Sequence, residues 1–297
     1  MDLVISSVGF GLVTASIVAL AAVGFTMQFG VTNVINLAFG DVMTAAAFVA
    51  YLANAAGLNI WLCLVVGALS GALGSFLLNR ALYAPFQRRG ASVLTVVIVT
   101  LAAGLIVQNG VLALWGPGFY NYAFDAGPSL HVGTLTVTLA ELGIIALSVA
   151  AMLGVHALLT YTRLGKAMRA TAANPELARG CGIRTERIVD LTWLISGALC
   201  GAAGVVLVIN TSSVSATTGA NFFLVIVAAA ILGGIGRPYG AMLGALVIGL
   251  GTEVSAAFLS PSYKNVVAFV LLVLVLVLRP QGILAGTSSD RIGGGVA

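Results

Sequence analysis

The sequence predicts an all-α fold, a polytopic bundle of about eight to nine membrane-spanning helices, and three observations predict it. Of the 297 residues, 60% are hydrophobic and 7% are charged, an inventory that cannot cover a water-exposed surface. The apolar residues gather in runs close to the roughly 20 residues that a spanning helix needs. The basic residues fall almost entirely on one side once those runs alternate across a membrane.

The runs are Val4 to Met27, Leu37 to Ala56, Ile60 to Leu78, Val93 to Leu114, Leu139 to Thr160, Val189 to Ile209, Phe222 to Ile235, Ala241 to Leu259 and Asn265 to Leu278. Met1 and Asp2 open the chain without a basic n-region, so the first run is expected to stay as a membrane helix. The runs at 222–235 and 265–278 are short for a crossing and are expected to tilt or partly re-enter. If every run crosses, all but one of the 13 Lys and Arg residues share one face, and Lys264 alone lies on the other. That face is then cytoplasmic, with the N-terminus outside and the C-terminus inside a bacterial cytoplasmic (inner) membrane. Dropping one short run would split the basic loops between both sides. The net charge of +4 follows from this bias and calls for no nucleic acid.

One membrane domain is expected over residues 1–290, and the Gly-rich tail over 291–297 is expected to be flexible. With this length taken up by the membrane runs, no appended ATPase is expected. Cys63 and Cys200 fall in apolar runs and Cys181 in a basic loop, which is neither a disulfide framework nor a metal spacing. The outer loop from Trp115 to Thr138 has no Lys or Arg; Trp115, Phe119, Tyr120 and Tyr122 suit an interfacial aromatic belt or a contact for an external partner.

The inner loop from Tyr161 to Ile188 carries the densest charge. Asn174 can cap a helix whose first position is Pro175, Glu176 complements the positive end of its dipole, and Gly180 or Gly182 can end it in the left-handed region. A short helix over about Pro175 to Arg179 would present a rigid basic knob to a cytoplasmic partner. A solvated positive-inside loop accounts for the arginines as well, but not for the cap and the glycines.

Two segments interrupt apolar runs with polar or small residues. Gly30, Thr32, Asn33, Asn36, Gly40 and Asp41 either line a cavity beside a discontinuous helix or let helices approach closely. Gly233, Gly234, Gly236, Gly240 and Gly244 surround Arg237 and Pro238, and Gly240 and Gly244 have the spacing that lets helices touch. GGIGRPYG lacks the Lys-Ser/Thr ending of a phosphate-binding loop. The two segments lie in opposite halves, as an inverted repeat requires. Asp41, Glu141, Asp190 and Glu253 stand near run boundaries, and Glu253 is the deepest of them; Glu253 joins Asp41 as a candidate for a substrate path. The helix centres are almost free of charge, which disfavours an ion-coupled carrier. An intramembrane protease built on Asp41 and Asp190 is disfavoured too, because both acids sit near the inner boundary and no GxSxG or HExxH occurs.

GKAMRATAANPELARGCGI resembles the coupling loop of the branched-chain amino acid permease family of ABC importers. FGVTNVINLAFGD at Phe29 to Asp41, AAAILGGIGRPYGAMLGALVIGL at Ala228 to Leu250 and RPQGIL at Arg279 to Leu284 resemble it in the same order, so the similarity spans nearly the whole chain. The resemblance implies a transport subunit with no ATPase motif of its own. It implies a second, LivM-like permease, two ABC ATPase subunits that bind the ATP and Mg, and an extracytoplasmic substrate-binding protein. It places ATPase coupling on Gly165, Arg169, Asn174, Pro175, Glu176, Arg179, Gly182 and Arg184. Where the family often carries His and Glu, this chain has Phe39 and Asp41. Permeases for urea and short amides resemble the same family, which makes them the alternative substrates.

Overall fold

A computed structural model describes residues 2–124, 127, 129–132, 135–260, 263–279 and 282–283. The expected tail at 291–297 and half of the RPQGIL motif, residues 280, 281 and 284, lie outside them. Six helices are long and apolar enough to cross a membrane, and three shorter apolar helices at Phe39–Ala55, Thr218–Gly233 and Lys264–Leu278 join them. The fold is thus a polytopic helical bundle. Among the described residues its only sheet is a hairpin of β1 (Ser129–Val132) and β2 (Leu135–Thr138), antiparallel with Ser129 opposite Thr138.

Two long helices form the centre, α1 (Asp2–Thr32) and α9 (Thr185–Thr211). Both are buried on nearly every side, as helices that are apolar all round should be. α1 runs antiparallel to α11 (Pro238–Phe258), with Gly11 against Leu250 and Gly30 against Gly236. α9 runs antiparallel to α3 (Ile60–Leu78), with Gly71 against Gly197 and Gly67 against Gly201. Small residues on both partners bring these backbones close, which is how helices gain van der Waals energy where lipid removes the hydrophobic drive.

Around this pair stand α2 (Phe39–Ala55) and α10 (Thr218–Gly233), then α5 (Val93–Trp115), α6 (Leu139–Tyr161) and α12 (Lys264–Leu278). The outer helices turn large apolar side chains outward, among them Leu94, Ile106, Leu153, Val273 and Val277, as lipid-facing helices do. Local signals set the ends. Asn59 accepts the Trp61 N–H and Ser92 the Thr95 N–H, and Thr138 and Glu141 form a reciprocal capping box on α6. α3 continues through a wide π-helical turn at Asn79–Tyr83 into α4 (Ala84–Arg88). Pro85 explains the turn, since it has no N–H to return and its ring would crowd the carbonyl of Ala81 in a regular helix.

α2 and α10 do not begin at the ends of the bundle. The Phe39 carbonyl accepts a hydrogen bond from Cys200 Sγ at 3.3 Å, halfway along α9. The first turn of α10 meets the first turn of α2 at the same level, where Gly219 N–H donates to Thr44 Oγ1 at 2.8 Å and Thr44 Oγ1 donates to the Gly40 carbonyl at 3.2 Å. Phe25 of α1 packs edge-on against both Phe39 and Phe223, with centroids at 5.6 and 5.7 Å. Each short helix is therefore the second arm of a break. α1 ends at Thr32 and the chain turns back over residues 33–38 before α2; α9 ends at Thr211 and turns back over 212–217 before α10. Asn33 and Ser212, the residues just past the two long helices, both adopt left-handed backbone, with φ of 53° and 60°.

This corrects one pairing expected from sequence. The break at Phe29–Asp41 has its counterpart at 212–217, not at Ile231–Gly244. The latter is the tight turn between α10 and α11, where Gly233 packs on Gly240 and Gly244 on the Ala229 carbonyl. Gly234 lies at that turn against Gly282, and Gly236 lies against Gly30.

Candidate functional site

The first break is held by named side chains. Asn33 N–H still reaches the Phe29 carbonyl at 2.8 Å, and Thr32 Oγ1 donates to the Gln28 carbonyl at 2.7 Å. Thr100 of α5 then takes over, accepting the Leu37 N–H at 3.3 Å and donating to the Ile35 carbonyl at 3.1 Å. Irregular backbone inside a membrane protein needs such partners, because an unpaired amide in hydrocarbon costs several kcal/mol.

A polar cluster lies beside this break. Asn36 is fully buried, and its Oδ1 accepts from the Tyr83 hydroxyl at 3.3 Å. The Tyr83 ring packs on Trp193 of α9 at 5.1 Å; the π-helical turn is what carries Tyr83 to that place. Asp41, in the first turn of α2, suits the positive end of that helix and is buried against Gly104, where an added methyl would lie 2.5 Å from Oδ2. Asn36 Nδ2, Asp41 Oδ1 and Trp193 Nε1 have no hydrogen-bond partner among the described residues. Buried donors and an acceptor left in this condition can receive a polar guest.

The structure brings Asn36, Gly40 and Asp41 together near this cluster, with Thr32 and Asn33 at the start of the break. It does not bring the other two candidates to them. Gly30 is consumed in the contact with Gly236. Glu253 lies at the far part of α11, where it accepts from Lys264 Nζ at 2.6 Å and Thr14 Oγ1 at 3.0 Å and so ties three helices. Thr44, Tyr83, Thr100, Trp193 and Gly219 escaped sequence reasoning. A signal existed: the same chain offset separates Thr32 from Thr211, Asn33 from Ser212 and Gly40 from Gly219.

At the basic end of the bundle, α7 (Arg163–Ala173) runs into α8 (Pro175–Gly180). Asn174 Oδ1 accepts from the N–H groups of Glu176 and Leu177, both at 3.0 Å, a cap worth about 1 kcal/mol. Ala178 is buried while Glu176, Leu177 and Arg179 are exposed, and Leu177 is 66% exposed. Gly182 takes φ 83° and turns the chain toward α9. Arg179 Nε donates to Thr185 Oγ1 at 3.1 Å. Gly165 fits tightly over Leu158 and Leu159, and Arg169 donates back to the Leu159 carbonyl at the end of α6. Arg169 thus fastens α7 to the bundle, whereas Arg184 opens onto a cleft.

That cleft, of about 820 Å³, separates the π-turn and α4 on one wall from α8 and the start of α9 on the other. Arg80, Arg88, Arg179, Arg184 and Arg187 line it, opposed by Glu186 and Asp190. Arg80 pairs with Asp190 at 3.5 Å and Arg88 with Glu186 at 3.0 Å across it. Such exposed pairs contribute little stability each, so the walls can be separated at small cost.

A helical bundle with two broken helices meeting at its middle, and a capped basic knob at one end, defines a multi-pass membrane protein of the permease class. Residues 7–276 match the family described as branched-chain amino acid transport system / permease component, and the chain belongs to that family. It is 31% identical to the high-affinity branched-chain amino acid transport system permease protein LivH of Escherichia coli, over 95% of this chain and 96% of the relative. It is 30% identical to the permease protein BraD of Pseudomonas aeruginosa over the same shares, and 29% identical to the ribose import permease protein RbsC of Escherichia coli over 88% of this chain and 82% of that one. Two solved structures share the fold at 15% identity. PsaBC from Streptococcus pneumoniae in complex with Fab gives a TM-score of 0.50 over 92% of this chain and 91% of its own, and an inward-facing metal-chelate type ABC transporter gives 0.51 over 94% and 96%.

Proposed function

We propose that this chain is the membrane-spanning permease subunit of an ATP-driven ABC importer for branched-chain amino acids, working by alternating access. It pairs with a second, related permease, two ATPase subunits and an extracytoplasmic binding protein. The domain covers residues 1–290, and the loop 161–188 is the coupling element. The chain sits in a bacterial inner membrane with its N-terminus outside and its basic face in the cytoplasm. The observation that carries this reading is α8: a six-residue helix capped by Asn174, seated by Ala178 and exposing Leu177 among arginines, which gives a separate motor something rigid to push. The match to LivH and BraD in length and identity favours branched-chain amino acids as cargo.

ATP hydrolysed by the motor moves α8 and closes or opens the cleft beneath the first break. Movement there is felt at Thr32 and Asn33, and through Gly40 and Gly219 at the second break. One half then opens as the other closes, which inverted halves permit. Asn36, Asp41 and Trp193 supply polar groups beside the path.

The test is reconstitution of the complete complex in proteoliposomes, measuring ATP-dependent leucine uptake with urea and ribose as competitors. Leucine uptake that neither competitor reduces is the expected result. Uptake suppressed by urea would replace the substrate, and uptake driven by an ion gradient without ATP would remove the importer reading.

A further inference from the structure

The segment 116–124 that follows α5 on the outer side is pinned at Tyr120 and at Ala123. Tyr120 N–H donates to the Val214 carbonyl at 2.9 Å and Val214 N–H donates to the Tyr120 carbonyl at 2.8 Å, a two-way antiparallel pairing. Val214 is buried and belongs to the 212–217 break that leads into α10. Three residues further, Asn54 of α2 holds Ala123 by both backbone groups, accepting its N–H at 2.7 Å and donating to its carbonyl at 3.2 Å. Between these points the Tyr122 hydroxyl donates to the Ala47 carbonyl at 2.8 Å. Burial, and then the neighbouring Cys63, push its phenol above the ordinary range, so it stays a donor. Phe48 and Tyr51 of α2 pack on the Tyr120 ring at 5.6 and 5.4 Å.

The segment therefore ties the outer part of α2 to the approach to α10, and these are the helices whose first turns meet at Gly40 and Gly219. At its tip, Phe119 is 78% exposed. We propose that residues 115–124 form a rigid strap through which an external soluble partner moves α2 and α10 together, and that the Tyr120–Val214 pairing is the link. The inference rests on the importer reading, in which that partner is the extracytoplasmic binding protein. A displacement of the Phe119 tip reaches α10 through the two hydrogen bonds of the Tyr120–Val214 pairing and then residues 215–217, where Ser215 N–H donates to Thr218 Oγ1 at 2.8 Å and so ties the segment to the first residue of α10.

The experiment measures ATP hydrolysis by the complete reconstituted complex, with and without substrate-loaded binding protein. Val214→Pro deletes one donor of the pairing. Stimulation by the binding protein should then fall about tenfold, the size of an ordinary coupling between sites, while assembly and basal hydrolysis stay. A responsive wild type with an equally responsive Val214→Pro overturns the link alone. Tyr120→Cys with Val214→Cys, in a chain also carrying Cys181→Ser, supplies the complementary arm. Paired residues of this kind hold their α-carbons about 5.5 Å apart, within disulfide reach. The cross-linked complex should be stimulated as fully as the reduced one. Stimulation lost on cross-linking and regained on reduction would mean that the pairing must open, which overturns a rigid link even if Val214→Pro fails to fold. A wild-type complex that hydrolyses ATP and ignores the binding protein would overturn the importer reading itself.

Discussion

Gly40 and Gly219 face each other backbone to backbone, each so close that a methyl group on either would strike the other's carbonyl oxygen. The contact joins the first turns of two helices that arrive from opposite ends of the bundle. Neither side chain has room to grow. Gly219→Ala should destabilise the protein by about 1 to 3 kcal/mol, as overpacking of a tight interior does. The midpoint of thermal unfolding in detergent checks this, and an unchanged midpoint would mean that the two turns part easily.

The left-handed residues Asn33 and Ser212 make a second pair. A non-glycine residue in that region costs roughly 1 to 2 kcal/mol, less for Asn. Ser212→Gly is therefore expected to raise the unfolding midpoint and Ser212→Val to lower it. Asn33→Gly should have the smaller effect of the two glycine substitutions.

Asn174→Ala removes both hydrogen bonds that start α8. The loss of about 1 kcal/mol should weaken co-purification of the ATPase subunit roughly fivefold without lowering the amount of chain in the membrane. Paired reversal of Arg179 and Arg184 to Glu should reduce both assembly and uptake. Wild-type assembly and uptake in that double variant would take these two arginines out of the docking surface.

Lys264→Met leaves the Glu253 carboxylate, 14% exposed, without its 2.6 Å partner. Lys264 is itself 38% exposed, so screening limits the expected loss to about 1 kcal/mol. Replacing both residues by Leu should recover most of that stability, because a matched apolar pair leaves no stranded charge. A double-mutant cycle on the unfolding midpoint measures it.

Asn36→Leu should depress leucine uptake while the complex still assembles, since its amide contributes to the polar cluster and its loss leaves only Tyr83 without an acceptor. Tyr83→Phe combined with it removes that orphaned hydroxyl and should restore stability but not uptake.

The helices were legible because lipid imposes one rule, long apolar runs, and nine of them stand where composition places them. The cap at Asn174 was legible for the same reason: it is written in adjacent residues. The counterpart of the first break was not. Ile209 to Asn221 reads as an ordinary polar loop, since Thr211, Ser212, Ser213 and Ser215 are what loops contain. The repeated offset from Thr32, Asn33 and Gly40 is its one trace in the sequence, and the contact with Gly40 shows that this stretch turns back into the bundle. Tyr83 and Trp193 were hidden differently. Each sits in an apolar or basic stretch with a common local explanation, and a π-helical turn places Tyr83 on a face that regular helical spacing does not predict. Glu253 was singled out for its depth, but depth in sequence says nothing about a partner, and Lys264 begins the next helix.

The position of α1 has a consequence for how the chain is made. This helix leaves the ribosome well before most of the helices it packs against: its neighbours in the finished bundle are α9, α10 and α11, with α6 beside them. At ordinary rates of synthesis it waits roughly ten to forty seconds for α9. Through that interval Gln28, whose side chain ends up accepting from Ser196, has no native partner. The newborn helix must therefore be apolar enough to lodge alone in lipid and still surrender that lodging when the second half arrives, so premature termination anywhere before α9 leaves a stranded core helix for membrane proteases to clear.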